Sequence, residues 1–215
     1  MSLQVSDGSD TATQAFSITV AAVDDGAAQA SDDLVELLED AGATAIDVLG
    51  NDLADPDDGS LAVAAVGTAS NGTASLQAGV VAYVPAADYC GSDSFGYTLA
   101  GGATATVTVT VACVNDAPVS IGSLPDRVAT EGNSVAWATA AGFADVDLGD
   151  VLGYSASGLP ASLSIDTATG QISGTLSAGD ALGAPYAIDV TATDLAGAHA
   201  SQEFSLAVAA GAPIG

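Results

Sequence analysis

Cationic side chains are almost missing from this 215-residue chain: Arg127 is the only one, and there is no lysine. That excludes nucleic acid as a partner, because binding a phosphate backbone requires cations to replace its counterions. An anionic membrane surface is excluded on the same ground. The single histidine, His199, lies in a turn of glycine and alanine with no nucleophile motif beside it. General acid–base or nucleophilic catalysis has little to work with here, and we expect no enzyme. Soft metal ligands are equally scarce, since a zinc site needs more than one histidine and two cysteines. Aromatics are only 5% of the residues, so the cores must be narrow and built from Ala, Val and Thr. No apolar run approaches the roughly 18–20 residues of a membrane span, no charged-then-apolar leader opens the chain, and no stretch sustains a helical period.

What is present is acid. Twenty-seven carboxylates leave a net charge of −26, and all but Glu36, Glu39, Glu131 and Glu203 are aspartates. Aspartate favours turns and caps, so the acids are expected at the loop ends of strands. An apolar fraction of 49% argues against disorder despite the charge. Such a surface fits bound divalent cations, or a salty medium that screens self-repulsion. Cys90 and Cys113 each lie beside a strand. They are two buried thiols or one disulfide, and the disulfide we expect implies an oxidising, extracellular setting.

Alternation and turn signals divide the chain into modules. Leu3-Gln4-Val5, a turn at 6–10 and a strand over Ala15 to Val20 predict an orphan hairpin in residues 1–23. The same pattern recurs near the end of the chain, with Asp7 matching Asp194 and Phe16 matching Phe204. We read it as the closing hairpin of a truncated upstream repeat, and a lone hairpin is marginal in water, so it is expected either to be loosely held or to borrow a neighbour, such as a second molecule, through its open edge. Residues 24–33 form an acidic linker. Residues 34–116 and 117–210 each read as a sandwich of short strands with a turn every 8–12 residues. The strands expected in the second are 127–130, 134–139, 152–157, 163–166, 171–174, 186–193 and 201–208. Cys113-Val114-Asn115-Asp116-Ala117-Pro118 is the junction, where Pro118 stops the preceding strand.

At this point the chain resembles known families. Asp47-Val48-Leu49-Gly50-Asn51-Asp52, Asn71-Gly72-Thr73, Tyr83-Val84-Pro85, Gly91-Ser92-Asp93-Ser94-Phe95 and Val114-Asn115-Asp116-Ala117-Pro118 are similar to the tandem cadherin-like repeats of giant bacterial surface proteins. Leu124-Pro125-Asp126, Glu131-Gly132, Phe143-Ala144-Asp145, Gly158-Leu159-Pro160, Ile172-Ser173-Gly174-Thr175 and Ala192-Thr193-Asp194 resemble a dystroglycan-type cadherin-like, Ig-type domain. The resemblance implies an all-β fold of tandem Greek-key Ig/cadherin-like sandwiches joined end to end, with Ca²⁺ at the junctions. Carried onto matching positions, it implies Glu39, Asp93, Asn115, Asp116, Asp145, Asp147 and Asp194 as ligands of the main junction. It implies Asp24, Asp25, Asp55 and Asp57 as ligands of a weaker upstream one, and Glu131 as a ligand for a further junction. Calcium wants six to eight oxygen ligands on adaptable loops, which that set supplies.

The implied role is a secreted or cell-surface spacing or adhesion module. Its partners would be neighbouring repeats of the same chain and a cell surface, matrix polymer or glycan. A carbohydrate-binding module is the alternative, resting on Trp137 and the tyrosines as stacking platforms. Trp137, however, alternates inward with Val135 and reads as core. A metal-free, salt-adapted spacer is the third reading.

Overall fold

The computed structural model describes residues 1–21, 23–24, 26–57 and 59–212. The chain divides into two compact units, Met1–Ala112 and Cys113–Gly215. In the first, β1 (Ser2–Ser6) and β2 (Thr11–Ala15) form a two-stranded sheet of their own. A seven-stranded sandwich follows: β3 (Asp33–Leu38), β4 (Thr44–Ile46), β5 (Val63–Val66), β6 (Gly72–Gln77), β7 (Val80–Pro85), β8 (Gly91–Leu99) and β9 (Thr104–Ala112). One sheet has the order β3-β9-β8-β5 and the other β4-β7-β6. The first strand, β3, runs parallel to the last, β9, from Asp33 opposite Val107 to Leu38 opposite Ala112. A first strand lying beside the last gives the Greek-key closure.

The core of this sandwich follows from period-two alternation. Phe95, Tyr97 and Leu99 of β8 and Val107, Val109 and Val111 of β9 turn inward onto Val81 and Tyr83 of β7. Each such side chain, fully buried, contributes about 1.5–3 kcal/mol. Tyr83 stacks on Phe95 with ring centroids 5.9 Å apart. Gly72 opens β6 because a Cβ there would collide with the Tyr83 ring.

The second unit repeats the plan. Its strands are β10 (Val119–Ser120), β11 (Arg127–Thr130), β12 (Ser134–Ala138), β13 (Phe143–Ala144), β14 (Gly153–Ser157), β15 (Leu163–Ile165), β16 (Gln171–Thr175), β17 (Tyr186–Thr193) and β18 (His199–Ala209), with a one-turn helix α1 (Asp180–Gly183) before β17. Sheet β11-β18-β17-β14 faces sheet β12-β16-β15, β11 is again parallel to β18, and β10 pairs with β13. Ile188, Val190 and Ala192 of β17 and Phe204, Leu206 and Val208 of β18 fill the core. Gly158 holds φ at 75°, and a Cβ there would run into the Ala187 carbonyl. That accounts for glycine in Gly158-Leu159-Pro160.

Cys90 and Cys113 are both disulfide-bonded. Two local expectations are corrected. The strand expected over Ala15 to Val20 is Thr11–Ala15 instead. Ser2 faces Ala15, and the Phe16 N–H donates to the Met1 carbonyl at 3.1 Å, so residues 17–20 find no facing strand. Helix α1 was not expected, because four residues carry no readable period. No helix among the described residues is long and apolar enough to cross a membrane.

Candidate metal centre

At one end of the second unit, residues 115–116, the loop of residues 145–151 and the turn after β17 come together. The loop begins as β13 ends, and Asp145 folds it into a turn by accepting the Asp147 N–H at 2.9 Å. Asp147 in turn accepts the Asp116 N–H at 2.8 Å and offers its carbonyl to the Asp150 N–H at 3.2 Å. Asp194 closes the β17–β18 turn by accepting the Ala198 N–H at 2.8 Å. Its other oxygen accepts from the Asn115 side-chain amide, also at 2.8 Å. That amide bond, and then the turn N–H groups working against burial, hold the Asp194 carboxyl below its ordinary value.

Carboxylate oxygens of Asp145, Asp150 and Asp194 lie within 4.8 Å of one another. Asp194 is buried, and Oδ2 of both Asp145 and Asp150 is buried without a hydrogen-bond partner. Three carboxylates this close repel, and buried lone pairs without a donor cost free energy. The chain's single cationic side chain does not relieve them. The Arg127 guanidinium sits over the Trp137 ring, 5.9 Å from its centroid. An all-oxygen donor set on loops is what a hard divalent cation takes, and it suits calcium better than zinc or copper. The residues present therefore fit the ion.

The expected ligands are used differently. Asn115, Asp116, Asp145, Asp147 and Asp194 are gathered in the second unit as described. Asp150 belongs with them, although we did not assign it as a ligand. Its signal was its place in the loop Asp145-Val146-Asp147-Leu148-Gly149-Asp150, hidden by the abundance of aspartate. Glu39 directly follows β3 in the first unit and is 5% exposed. Asp93 is taken up inside the first unit. It accepts the Tyr83 hydroxyl at 2.7 Å and the N–H groups of Ser70, Asn71 and Ser94 at 2.8–3.1 Å. Burial pushes its carboxyl up, but those four donors hold it below its ordinary value. Its lone pairs are spent on the fold, so the site proposed below does not use it.

In the expected upstream set, Asp24 accepts the Gly26 N–H at 3.1 Å and Asp55 the Asp57 N–H at 2.8 Å. Asp25 lies outside the described residues. Among the described residues, Asp24, Asp55 and Asp57 form no three-acid cluster. Glu131 accepts the N–H groups of Gly179, Ala181 and Gly211 at 2.7–3.2 Å, which lower its pKa. Those bonds hold α1 and the segment after β18.

The piece Asp47 to Asp52 has a structural role that sequence did not reveal. Asp52 accepts the Tyr97 hydroxyl and, at 2.8 Å, the Ser31 N–H. Asn51 donates to the Asp32 carbonyl at 3.0 Å. Together they pin the incoming linker onto the first sandwich. Among the described residues, Phe16 is the one aromatic that is exposed, and no exposed, coplanar set of rings is presented there for a sugar to stack on.

Comparison with known proteins defines the class. Residues 24–113 match the family described as "Bacterial Ig domain", and residues 117–209 match "Putative Ig domain". The chain is a tandem of these two Ig-type domains. Its structure is similar to protocadherin gamma B7 cadherin domains 1–4 (19% identity, TM-score 0.53), covering 88% of this chain and 52% of that one. It is also similar to human CDH23 EC21-23 (16%, TM-score 0.58, 85% and 69% covered) and mouse cadherin-23 EC22-24 (19%, TM-score 0.59, 86% and 67% covered). The chain thus spans about half the length of that protocadherin fragment. At these identities the likeness establishes the cadherin-type fold. No curated protein sequence matches the chain.

Proposed function

We propose that this chain is a non-enzymatic, calcium-binding extracellular module of a large bacterial surface or secreted protein, serving as a spacer or adhesion element. The observation that carries the reading is the trio Asp145, Asp150 and Asp194, gathered with two buried, partnerless carboxylate oxygens. Calcium would bind there, with Asp147, Asp116 and the Asn115 carbonyl as further donors. Its charge would offset the repulsion and tie residues 115–116 to the 145–151 loop. Those two residues lie near the start of the second unit, which begins at Cys113, so fixing them stiffens that stretch. The mechanism is mechanical: without the ion the carboxylates push apart and the segment loosens.

Titration calorimetry of the chelator-treated chain tests this. We expect a Kd of about 10⁻⁴–10⁻³ M, as extracellular calcium modules show, weakened at least tenfold in Asp150→Asn and Asp145→Asn. Binding unaffected by both substitutions contradicts the site.

A further inference from the structure

Residues 29–33 meet the first sandwich at a place that is short of protons. Tyr97 of β8 is 1% exposed, and its hydroxyl lies 2.9–3.0 Å from four oxygens: the Ser31 and Val48 carbonyls and both carboxylate oxygens of Asp52. All four are acceptors, and a phenol has one proton to give. The others face it lone pair to lone pair. Asp52 is itself buried and gains one further donor, the Ser31 N–H. Asp33, the first residue of β3, adjoins Asp52 and Tyr97, and its Oδ2 is buried without a hydrogen-bond partner. The groups facing Asp33 are all acidic. The loop of residues 47–52 brings Asp47 and Asp52, and β8 brings Tyr97. The linker brings Asp32, whose carboxylate accepts the Thr106 N–H at 2.8 Å. Strand β9, which pairs with β3, has no titratable side chain. The one arginine sits over Trp137 in the second unit.

We propose that the Asp33–Asp52 pair is a proton-operated latch: a proton taken up by Asp33 closes residues 29–33 onto the sandwich, and its loss loosens them. Protonation turns an acceptor into a donor where donors are short, and removes one of two adjacent negative charges. Burial first, and then the charge of Asp52, favour the neutral form of Asp33. Because its folded-state value is raised, the latch is fully closed below 3.8 and loosens as pH rises through the raised value. The linker is the part that yields. Tyr97 and Asp33 are fixed in one sheet, each paired along its strand with β9. Residues 29–31 are held by less: Gln29 and Leu53 exchange N–H bonds at 2.8 and 2.9 Å, and Ser31 bonds to the cluster itself.

The test is amide exchange of the full chain, followed by NMR between about pH 4 and 7 in chelator, so that calcium plays no part. Rates are corrected for their intrinsic pH dependence, and the Asp33 side-chain carboxyl shift is followed alongside. The proposal expects Asp33 to titrate above 3.8. With the same midpoint, protection at Gln29, Ser31 and Leu53 should fall several-fold as pH rises, while Val107 and Val109 stay protected. Asp33→Asn should hold the three amides at their acid-level protection throughout. Three results overturn the latch: an Asp33 carboxyl that titrates at or below 3.8, protection at the three amides that does not change with pH, or a change that persists in Asp33→Asn. The first two are read on the unsubstituted chain and hold even where Asp33→Asn does not fold.

Discussion

The Tyr83 hydroxyl donates to Oδ2 of Asp93 at 2.7 Å inside the first sandwich, fixing a buried carboxylate where the sequence suggests a metal ligand. Tyr83→Phe removes one charge-assisted bond and should destabilise the first unit by about 1.5–3 kcal/mol. Asp93→Ala strands the N–H groups of Ser70, Asn71 and Ser94 and leaves the Tyr83 hydroxyl only the Asn71 carbonyl at 3.3 Å, so it should cost about 3 kcal/mol or more. Urea unfolding measures both. Calcium affinity of any Asp93→Ala protein that still folds should match the parent; a tenfold loss would return Asp93 to the ligand set.

Acid should act on the chain in two opposite senses. Asp93, Asp194 and Glu131 all have lowered folded-state pKa values. Their stabilisation is present above the unfolded values and is lost as pH falls through the folded ones. Asp33 runs the other way, raised by burial and then by the charge of Asp52, with Asp47 and Asp32 adding to it against the Tyr97 hydroxyl. Its contribution is full below its ordinary value of 3.8 and lost as pH rises through the raised value. Melting temperature should therefore rise modestly as pH drops from 7 towards the Asp33 transition, then fall below about pH 4. In Asp33→Asn the first rise should vanish, and its persistence would contradict the assignment.

Glu131 holds helix α1 and the segment after β18 through three backbone N–H bonds. Glu131→Ala should speed hydrogen exchange at Gly179, Ala181 and Gly211 several-fold while leaving β17 and β18 protected. Unchanged exchange at all three amides would show that the bonds are not formed in solution.

Reducing the disulfide formed by Cys90 and Cys113 should lower the stability of the chain by about 3 kcal/mol. Comparing denaturant midpoints with and without reductant, at constant calcium, reads it out. Unchanged midpoints would contradict that expectation.

The sandwich cores were legible because burial imposes a period of two. Tyr186 to Thr193 was marked out to its last residue by Ile188, Val190 and Ala192 turning inward. Trp137 was readable as core by the same alternation with Val135, and it packs against the second core. Residues 17–20 alternate just as well, yet they form no strand, because alternation records a preference and not the presence of a partner. The acids were the hard part. An aspartate that caps a turn, one that anchors a tyrosine and one that faces an ion look alike in sequence. Asp93 and Asp150 show the two ambiguities this produces. Only the donors around each carboxylate separate them: four at Asp93, and none at the buried oxygen of Asp150.

The central claim is that the second unit's acids hold calcium. The most direct measurement is the second unit's melting temperature in the full chain after chelation, with calcium, magnesium or sodium then added at fixed ionic strength. A ligand bound only by the folded state stabilises it by about 2.7 kcal/mol at a hundred times its Kd. The account predicts a saturable, calcium-selective rise that Asp150→Asn abolishes. An equal response to all three cations, or an undiminished rise in Asp150→Asn, would contradict it and leave the acids as a screened surface.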